Sequence, residues 1–198
     1  MIPYYETELG KLYHGDCLEI MPLLEPVDLV LTDPPYPTEY QEEYKYNPNT
    51  ILYFKKLDCL QFIFWTPRAR FPLSYTSMHI WDKRVGVRSQ YEIIYERNGL
   101  RGYRVYSCYF VNSTVAASYV GDEYTGHKSQ KPKKLIIELL HDSKINGLVL
   151  DPFLGSGTTA IACERLNRRW IGIEIEEKYC EIAAKRIEKE RSQLKLFT

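Results

Sequence analysis

The fold of this chain is decided by the stretch Leu148-Val149-Leu150-Asp151-Pro152-Phe153-Leu154-Gly155-Ser156-Gly157-Thr158-Thr159. An apolar run predicts a buried strand, a turn with two glycines follows it, and a helix is predicted from Thr158 to Asn167. Gly155 and Gly157 allow the backbone to approach a ligand with no Cβ in the way. The next predicted strand, residues 168–175, ends near Glu174. This succession predicts a nucleotide-binding unit of an open α/β sheet.

The glycine turn favours a ligand with an adenosyl group and no phosphates. It lacks the lysine of a phosphate-binding P-loop and the third glycine of the dinucleotide fingerprint. Glu174 lies 19 residues after Gly155, a spacing at which an acid meets ribose hydroxyls. Asp16, at the end of the predicted strand 11–16, is a candidate for the adenine amino group. The residues predicted to bind the cofactor are therefore Asp16, Asp151, Phe153, Gly155, Ser156, Gly157, Thr158, Thr159 and Glu174.

A second motif, Asp33-Pro34-Pro35-Tyr36, follows the apolar run of residues 27–32. The carboxyl ends of parallel strands meet at one edge of a sheet, so we expect Asp33 to border the same crevice and to touch the cofactor. Its carboxylate and the Pro34 carbonyl can accept the hydrogens of an exocyclic amine, while Pro35 stiffens the turn. Tyr36 can stack on a base swung out of a helix. A turn with no chemical role is the alternative.

Length and composition predict one domain, residues 1–198, with 44% hydrophobic side chains. No apolar run approaches the length that spans a bilayer, and the first residues do not resemble a signal peptide, so we expect a soluble cytoplasmic protein with no membrane partner. The five cysteines and four histidines have no paired spacing. We therefore expect reduced thiols and no metal site.

The formal net charge of zero conceals an uneven distribution of charge. Residues 1–60 carry 4 basic and 11 acidic side chains, residues 61–134 carry 12 and 5, and residues 135–198 carry 10 and 10. The basic residues of the middle third alternate with tyrosines, a composition suited to phosphate contacts and base stacking. A solvated basic face with no partner is the alternative.

The remaining pattern predicts the other elements of the sheet. Seven strands are expected, at residues 11–16, 27–32, 61–66, 77–82, 91–97, 148–150 and 168–175. The link between the fourth and fifth is too short for a crossover helix, which predicts a hairpin and one antiparallel strand. Residues 37–50 are polar and bounded by prolines, and predict a mobile loop over the crevice. Residues 99–126 are expected to be irregular, and helices are expected from Pro132 and over residues 177–191.

These motifs resemble the DNA methyltransferases that use S-adenosylmethionine to methylate an exocyclic amine. The resemblance covers nearly the whole chain: Asp33 to Tyr36 matches the catalytic motif, residues 151–159 the methionine-binding loop, and residues 171–174 the strand that binds ribose. It implies that His127, Ser129, Lys131 and Pro132 help to enclose the cofactor. It also implies a doubly wound class I methyltransferase fold, a seven-stranded sheet with one antiparallel strand. The motif order resembles the circularly permuted β subgroup.

One departure from this subgroup concerns target recognition. The recognition domain usually precedes the segment at His127, and only residues 99–126 are available for it here. We therefore expect a minimal recognition segment and double-stranded DNA as partner. Short or relaxed specificity is expected, or specificity completed by a homodimer or a separate specificity partner. The resemblance also implies a place in a restriction-modification system, with regulation or a role in a mobile element as the alternatives.

The resemblance favours adenine N6 as the methyl acceptor, because Asp at the first motif position is the usual signature of adenine enzymes. Cytosine N4 is the main alternative. RNA or a protein amide is a weaker one, since similar motifs serve those substrates in chains of unpermuted order. An inactive module that binds DNA or the cofactor is a further possibility, although Asp33, Tyr36, Gly155 and Glu174 are all present.

Overall fold

Within the stretch 148–159, residues Val149–Asp151 form a strand in the interior of a mixed sheet. The computed structural model describes residues 1–37, 46–84, 90–100, 102–111, 114–119, 122–126 and 129–195. Nine strands are present in this part of the chain: β1 (Tyr5–Glu6), β2 (Gly10–His14), β3 (Leu29–Thr32), β4 (Leu60–Trp65), β5 (Ser77–Asp82), β6 (Tyr91–Arg97), β7 (Val105–Ser107), β8 (Val149–Asp151) and β9 (Trp170–Glu174). Their order across the sheet is β1-β2-β9-β8-β3-β4-β6-β5-β7.

The predicted count of seven strands is wrong because two short strands extend the edges. β1 pairs antiparallel with β2, and β7 pairs parallel with β5. With two and three residues, these strands are too short to show an alternating apolar pattern, and they form by pairing with a neighbour. Within the seven predicted strands, β6 alone runs against both of its neighbours, and the predicted hairpin with β5 is confirmed.

Helices cover both faces of the sheet, as predicted for a doubly wound fold. Their bounds are α1 (Cys17–Ile20), α2 (Pro48–Tyr53), α3 (Thr114–Tyr119), α4 (Lys133–Ser143), α5 (Thr158–Arg165) and α6 (Glu177–Leu194). Short 3-10 turns at residues 21–23 and 54–56 follow α1 and α2. The expectation that residues 99–126 are irregular is wrong, because this segment contains β7 and α3.

The core is split by the sheet into two layers. In β3, Leu29 and Leu31 belong to one hydrophobic cluster, with residues of α4, α5 and α6, whereas Val30 belongs to the other. The second cluster includes Ile51 of α2 and Ile20 of α1. Successive side chains of a strand point to opposite faces, so a strand covered on both faces reads as a continuous apolar run.

Seven strands run in the same direction, so their carboxyl ends lie along one edge of the sheet: β2, β3, β4, β5, β7, β8 and β9. We call this the carboxyl edge. Of the predicted mobile loop, residues 38–45 lie outside the described residues, and its end is helical from Pro48. Among the helices described, none is long and apolar enough to cross a membrane.

Candidate active site

A cavity of about 560 Å³ opens at the carboxyl edge, between the ends of β3, β8 and β9. Both predicted motifs border it. The predicted site residues that line it are Asp16, Asp33, Pro34, Pro35, Tyr36, Ser129, Lys131, Asp151, Phe153, Gly155, Ser156, Thr158, Thr159 and Glu174. Gly157 and Pro132 do not line it, and His127 lies outside the described residues. The structure therefore brings the glycine turn and the Asp33 motif to one cavity.

The glycine turn depends on backbone angles that disfavour other residues. Gly155 has a φ of 54° and Gly157 a φ of 87°, both in the left-handed region. A Cβ on Gly157 would lie 2.9 Å from the Cβ of Ala183 in α6. Gly157 therefore serves the close approach of the turn to α6, whereas Gly155 borders the cavity.

Asp151 anchors the glycine turn to its neighbours. Its Oδ1 accepts hydrogen bonds from Thr32 Oγ1 at 2.8 Å and from the Phe153 amide at 3.1 Å, and its Oδ2 accepts one from Thr159 Oγ1 at 2.6 Å. Burial raises the pKa of Asp151 to about 6, although these hydrogen bonds oppose the shift. Both carboxylate oxygens are thus engaged in joining β8, β3 and α5.

The acid at the end of β9 also binds the glycine turn. Glu174 Oε2 accepts a hydrogen bond from the Gly155 amide at 2.7 Å, and Oε1 accepts one from the Glu176 amide at 2.9 Å. Burial raises the pKa of this carboxyl group. Asp16 follows β2, which pairs with β9; it accepts a hydrogen bond from the Leu18 amide at 2.8 Å and caps α1. Both acids line the cavity, and the adenine and ribose roles predicted for them remain predictions.

Asp33 has one oxygen engaged and one free. Oδ2 accepts a hydrogen bond from Lys131 Nζ, whereas Oδ1 is buried and has no hydrogen-bond partner. Burial raises the pKa of Asp33, and the ammonium group of Lys131 opposes the rise. A buried acceptor without a partner is costly in a folded protein, and it occurs where a ligand completes the site.

Aromatic side chains form the wall beside Asp33. The Tyr36 ring lies 5.5 Å from the ring of Trp65, and Trp65 in turn contacts Phe71 at 5.4 Å. Burial raises the pKa of the Tyr36 phenol, so the ring stays neutral at physiological pH. A planar group entering beside Asp33 would meet this aromatic wall.

The segment before α4 lines part of the cavity, with Ser129 and Lys131, and its predicted role in enclosing the cofactor remains a prediction. Lys131 also lies beside the Asp33 carboxylate, and Pro132 immediately precedes α4. Gln130 Oε1 accepts hydrogen bonds from the Thr125 amide at 3.1 Å and from Thr125 Oγ1 at 2.8 Å, and its Nε2 donates to the Glu123 carbonyl. Gln130 thus ties the end of residues 99–126 to the cavity that it lines.

Several lining residues lie outside the predicted set. Thr50 of α2, Tyr179 of α6 and Phe64 of β4 all border the cavity. Tyr179 lies five residues after Glu174, and a search of the first helical turn after the acidic strand end would have found it. Thr50 and Phe64 carry no local signal, because only the packing of distant elements brings them to the cavity.

The basic residues of the middle third divide into two groups. The internal group consists of Lys83, Arg97, Lys131 and Lys133, which bind other protein groups. The Arg97 guanidinium, for example, donates to Gln61 Oε1 at 2.6 Å. The exposed members in the described ranges are Arg68, Arg70, Arg84, Arg104 and Lys134. Arg68, Arg70 and Arg84 follow the carboxyl ends of β4 and β5, so they lie on the same edge as the cavity.

The fold is that of class I methyltransferases. The structure of M1.HpyAVI in complex with SAM is similar, with a TM-score of 0.62 and 24% identity over 90% of this chain and 100% of that one. PvuII DNA methyltransferase (cytosine-N4-specific) is similar with a TM-score of 0.66 and 18% identity over 96% of this chain and 94% of that one. At these identities the likeness concerns the fold.

The chain belongs to the DNA methylase family N6_N4_Mtase, whose model matches residues 80–185. It is 28% identical to the type II methyltransferase M.BamHI of Bacillus amyloliquefaciens over 98% of this chain and 61% of that protein. It is 48% identical to the type II methyltransferase M.HinfI of Haemophilus influenzae over 62 residues, which are 31% of this chain and 17% of that protein. The chain thus spans less than two thirds of the length of these relatives.

Proposed function

We propose that this protein transfers a methyl group from S-adenosylmethionine to the N6 amino group of adenine in double-stranded DNA. The observation that carries the proposal is Asp33, which lines the cavity that the glycine turn also borders and which has a buried oxygen, Oδ1, without a hydrogen-bond partner. Family membership supports the same reaction class.

The cavity suits S-adenosylmethionine in size and in the groups it offers. Its volume of about 560 Å³ lies within the range of small-molecule sites. Gly155 admits close approach of a ligand to the backbone, and the carboxylates of Glu174 and Asp16 face the same space. When bound, the cofactor supplies an electrophilic methyl group. Phe153 and the glycine turn would hold its methionine part, and Glu174 its ribose.

Asp33 and Tyr36 would then act on the target base. Asp33 Oδ1 and the Pro34 carbonyl accept hydrogen bonds from the amino group, which localises the nitrogen lone pair and stabilises the positive charge that develops on nitrogen. Tyr36, against Trp65, stacks on the base once it has left the helix. Lys131 keeps Oδ2 occupied, so that Oδ1 is the oxygen presented to the amine.

DNA as the partner is supported by the charge at the carboxyl edge. The exposed guanidinium groups of Arg68, Arg70 and Arg84 lie on the edge where the cavity opens, and arginine binds phosphate oxygens well. A duplex bound along this edge would place its phosphates against these groups and a flipped base in the cavity.

Adenine is preferred over cytosine because the catalytic motif begins with Asp33, the residue that the family resemblance associates with adenine. The alternative, cytosine N4, is favoured by the likeness of the fold to a cytosine-N4-specific enzyme. Both bases present an exocyclic amine, and Asp33 Oδ1 can accept a hydrogen bond from either one.

We further propose that residues 99–126 are a reduced recognition segment and that the chain is circularly permuted. The alignment with M.BamHI extends over 259 positions, more than the 198 residues present here, so that relative has segments with no counterpart in this chain. The permuted order is supported by the packing of β2 on α6, where Leu12 shares a hydrophobic cluster with Ala183 and Ile187. A methylation map that reveals a long, stringent site read by a monomer would contradict the reduced segment.

The test is methyl transfer to DNA with identification of the product. Purified protein is incubated with mixed-sequence duplex DNA and methyl-labelled S-adenosylmethionine, and the digested nucleosides are identified by mass spectrometry. We expect N6-methyladenine. N4-methylcytosine as the sole product would transfer the assignment to the alternative base, and no transfer to DNA despite measurable cofactor binding would refute the proposal.

The catalytic assignment is tested with Asp33→Ala. We expect the transfer rate to fall by at least about 10³-fold, as when a group that stabilises developing charge is lost, with cofactor affinity nearly unchanged because Asp33 acts on the base. Asp58→Ala is the control, since Asp58 is an exposed carboxylate away from the cavity. Wild-type activity in the Asp33 variant would show that the catalytic assignment is wrong.

A further inference from the structure

Four charged side chains of alternating sign run from the cavity into the protein. Lys131 Nζ donates to Asp33 Oδ2 and lies 3.4 Å from Glu92 Oε2. Glu92 Oε1 accepts a hydrogen bond from Lys83 Nζ at 2.5 Å. The side chains of Lys131, Glu92 and Lys83 are 7%, 9% and 13% exposed. We call these three residues the charge array.

The charge array joins elements that are distant in sequence. Lys131 precedes α4, Glu92 lies on β6 and Lys83 follows β5. The ammonium group of Lys131 lies 5.8 Å from the centre of the Trp81 ring, and that of Lys83 lies 5.0 Å from it. Trp81 is fully buried, so both ammonium groups are held next to an apolar, polarisable surface with little water.

Stability alone is a poor reason for such an arrangement. Burying ions removes them from water at a large cost, and replacement of a buried ion pair by apolar residues is often neutral or stabilising. The array ends at Asp33, a residue that lines the cavity, and buried charges with perturbed titration gather at functional sites. A role in setting the ionisation of Asp33 explains why the charge array is buried and why it ends at Asp33.

We propose that Lys131, Glu92 and Lys83 are positioning residues that orient Asp33 Oδ1 toward the target amine. Lys131 and Lys83 favour the ionised carboxylate of Asp33, whereas Glu92 fixes the Lys131 ammonium group and opposes that ionisation. The inference rests on the proposed function for its purpose. Lys131 occupies Oδ2, Glu92 pairs with the Lys131 ammonium group at 3.4 Å, and Lys83 in turn pairs with Glu92. The three residues act on the amine only through Asp33.

Each member of the array has a defined sign of action on Asp33. A neighbouring positive charge favours the ionised carboxylate and a negative charge disfavours it. The titratable groups that face Asp33 from the surrounding elements are Lys131, Glu92, Lys83, Tyr36 and Asp151. Removing the charge of Glu92 should therefore lower the pKa of Asp33, whereas removing that of Lys83 or Lys131 should raise it.

The experiment measures the titration of Asp33 directly by ¹³C NMR of protein labelled at aspartate carboxyl groups, with the resonance assigned from Asp33→Asn. The variants are Glu92→Gln, Lys83→Met and Lys131→Met. We expect the midpoint to move down in the first and up in the other two, by about one pH unit or more for Lys131→Met and less for Lys83→Met. The acid limb of the pH–rate profile should move in the same directions.

Matched controls come from α4, where Lys134 and Glu138 form an exposed pair at 3.9 Å. Lys134→Met and Glu138→Gln should leave the midpoint unchanged. Shifts of one sign in all three array variants, or shifts no larger than those of the controls, would overturn the inference. If Lys131→Met fails to fold, the opposite shifts expected for Glu92→Gln and Lys83→Met still decide the question.

The two proposals fail in different ways. The NMR titration requires no turnover, so opposite shifts in a protein that does not methylate DNA would refute the function and leave the array in place. A wild-type protein that methylates DNA, with no shifts in its variants, would refute the array and leave the function in place.

Discussion

Arg186 of α6 is predicted to hold the glycine turn in its binding conformation. Its Nη1 donates to the Ser156 carbonyl at 2.6 Å and to Ser156 Oγ at 3.1 Å. Its Nη2 donates to Asp122 Oδ1 at 3.1 Å. The side chains of Arg186 and Asp122 are 8% and 2% exposed, so this is a buried ion pair that joins the glycine turn to the segment 99–126.

The substitution Arg186→Met removes the cation and leaves the Asp122 carboxylate buried. Breaking a buried pair from one side costs about 3–5 kcal/mol. Asp122 keeps two hydrogen bonds, from the Lys133 amide to Oδ2 and from the Glu123 amide to Oδ1, both at 2.8 Å. The expected loss therefore lies at the lower end of this range, about 3 kcal/mol. The double variant Arg186→Met/Asp122→Ala should lose less than the sum of the two single variants, by about 1.5–3 kcal/mol, because neither charge is left alone.

The assay is urea unfolding of both single variants and the double variant at pH 7, with S-adenosylmethionine affinity measured by calorimetry on the folded proteins. We expect the affinity of Arg186→Met to fall about tenfold, equal to about 1.4 kcal/mol, because Ser156 loses its anchor. Lys185→Met is the matched control, since Lys185 is 80% exposed on the same helix. A loss of stability below about 1 kcal/mol in Arg186→Met, or additive single variants, would refute the reasoning.

Three further predictions concern the glycine turn, its anchor and the carboxyl edge. Gly157→Ala should destabilise the fold by about 2–3 kcal/mol in urea unfolding, because it combines a φ of 87° with overlap on α6, whereas Gly102→Ala, which meets open space, should have little effect. Burial raises the pKa of Asp151 to about 6, so the native state binds the carboxyl proton more tightly than the unfolded state does. The free energy of unfolding of the wild type, relative to that of Asp151→Asn, should therefore rise as the pH falls from 7 to 4. A decrease over this range would contradict the prediction. Replacing Arg68 and Arg70 together by Ala should lower the slope of log K for DNA against log salt by about 2, and an unchanged slope would place DNA elsewhere.

The local pattern of apolar residues was sufficient to predict most strands of the sheet. The bounds predicted for β5 and β6 are those observed, and the remaining predicted strands differ from the observed ones by a few residues at their ends. Periodicity is a local property that survives in the fold wherever a strand has at least four residues and a buried face. The edge strands β1 and β7 lack such a signal, and the count of seven failed at these strands.

The partners of the charged residues could not be predicted in the same way. The family resemblance predicts that Lys131 helps to enclose the cofactor, and its ammonium group contacts Asp33, 98 residues earlier in the chain. From the sequence, Lys83 and Glu92 are two charged residues on either side of a predicted hairpin. Arg186 is one basic residue among several in an amphipathic helix. The interaction of a charge depends on which distant groups surround it and on how much water remains, and neither quantity is written in a short window of sequence.

The sequence by itself determined the class of fold, the two motifs and their meeting at one edge, because apolar periodicity, glycine turns and the direction of parallel strands are consequences of local chemistry and chain geometry. Only the tertiary structure decided that Lys131 engages Oδ2 of Asp33 and leaves Oδ1 without a partner, that Asp151 and Glu174 bind the glycine turn, and that buried lysines and acids lie beside the Asp33 motif. These features depend on packing between elements far apart in sequence, where burial makes each unpaired charge costly and so selects one arrangement of partners.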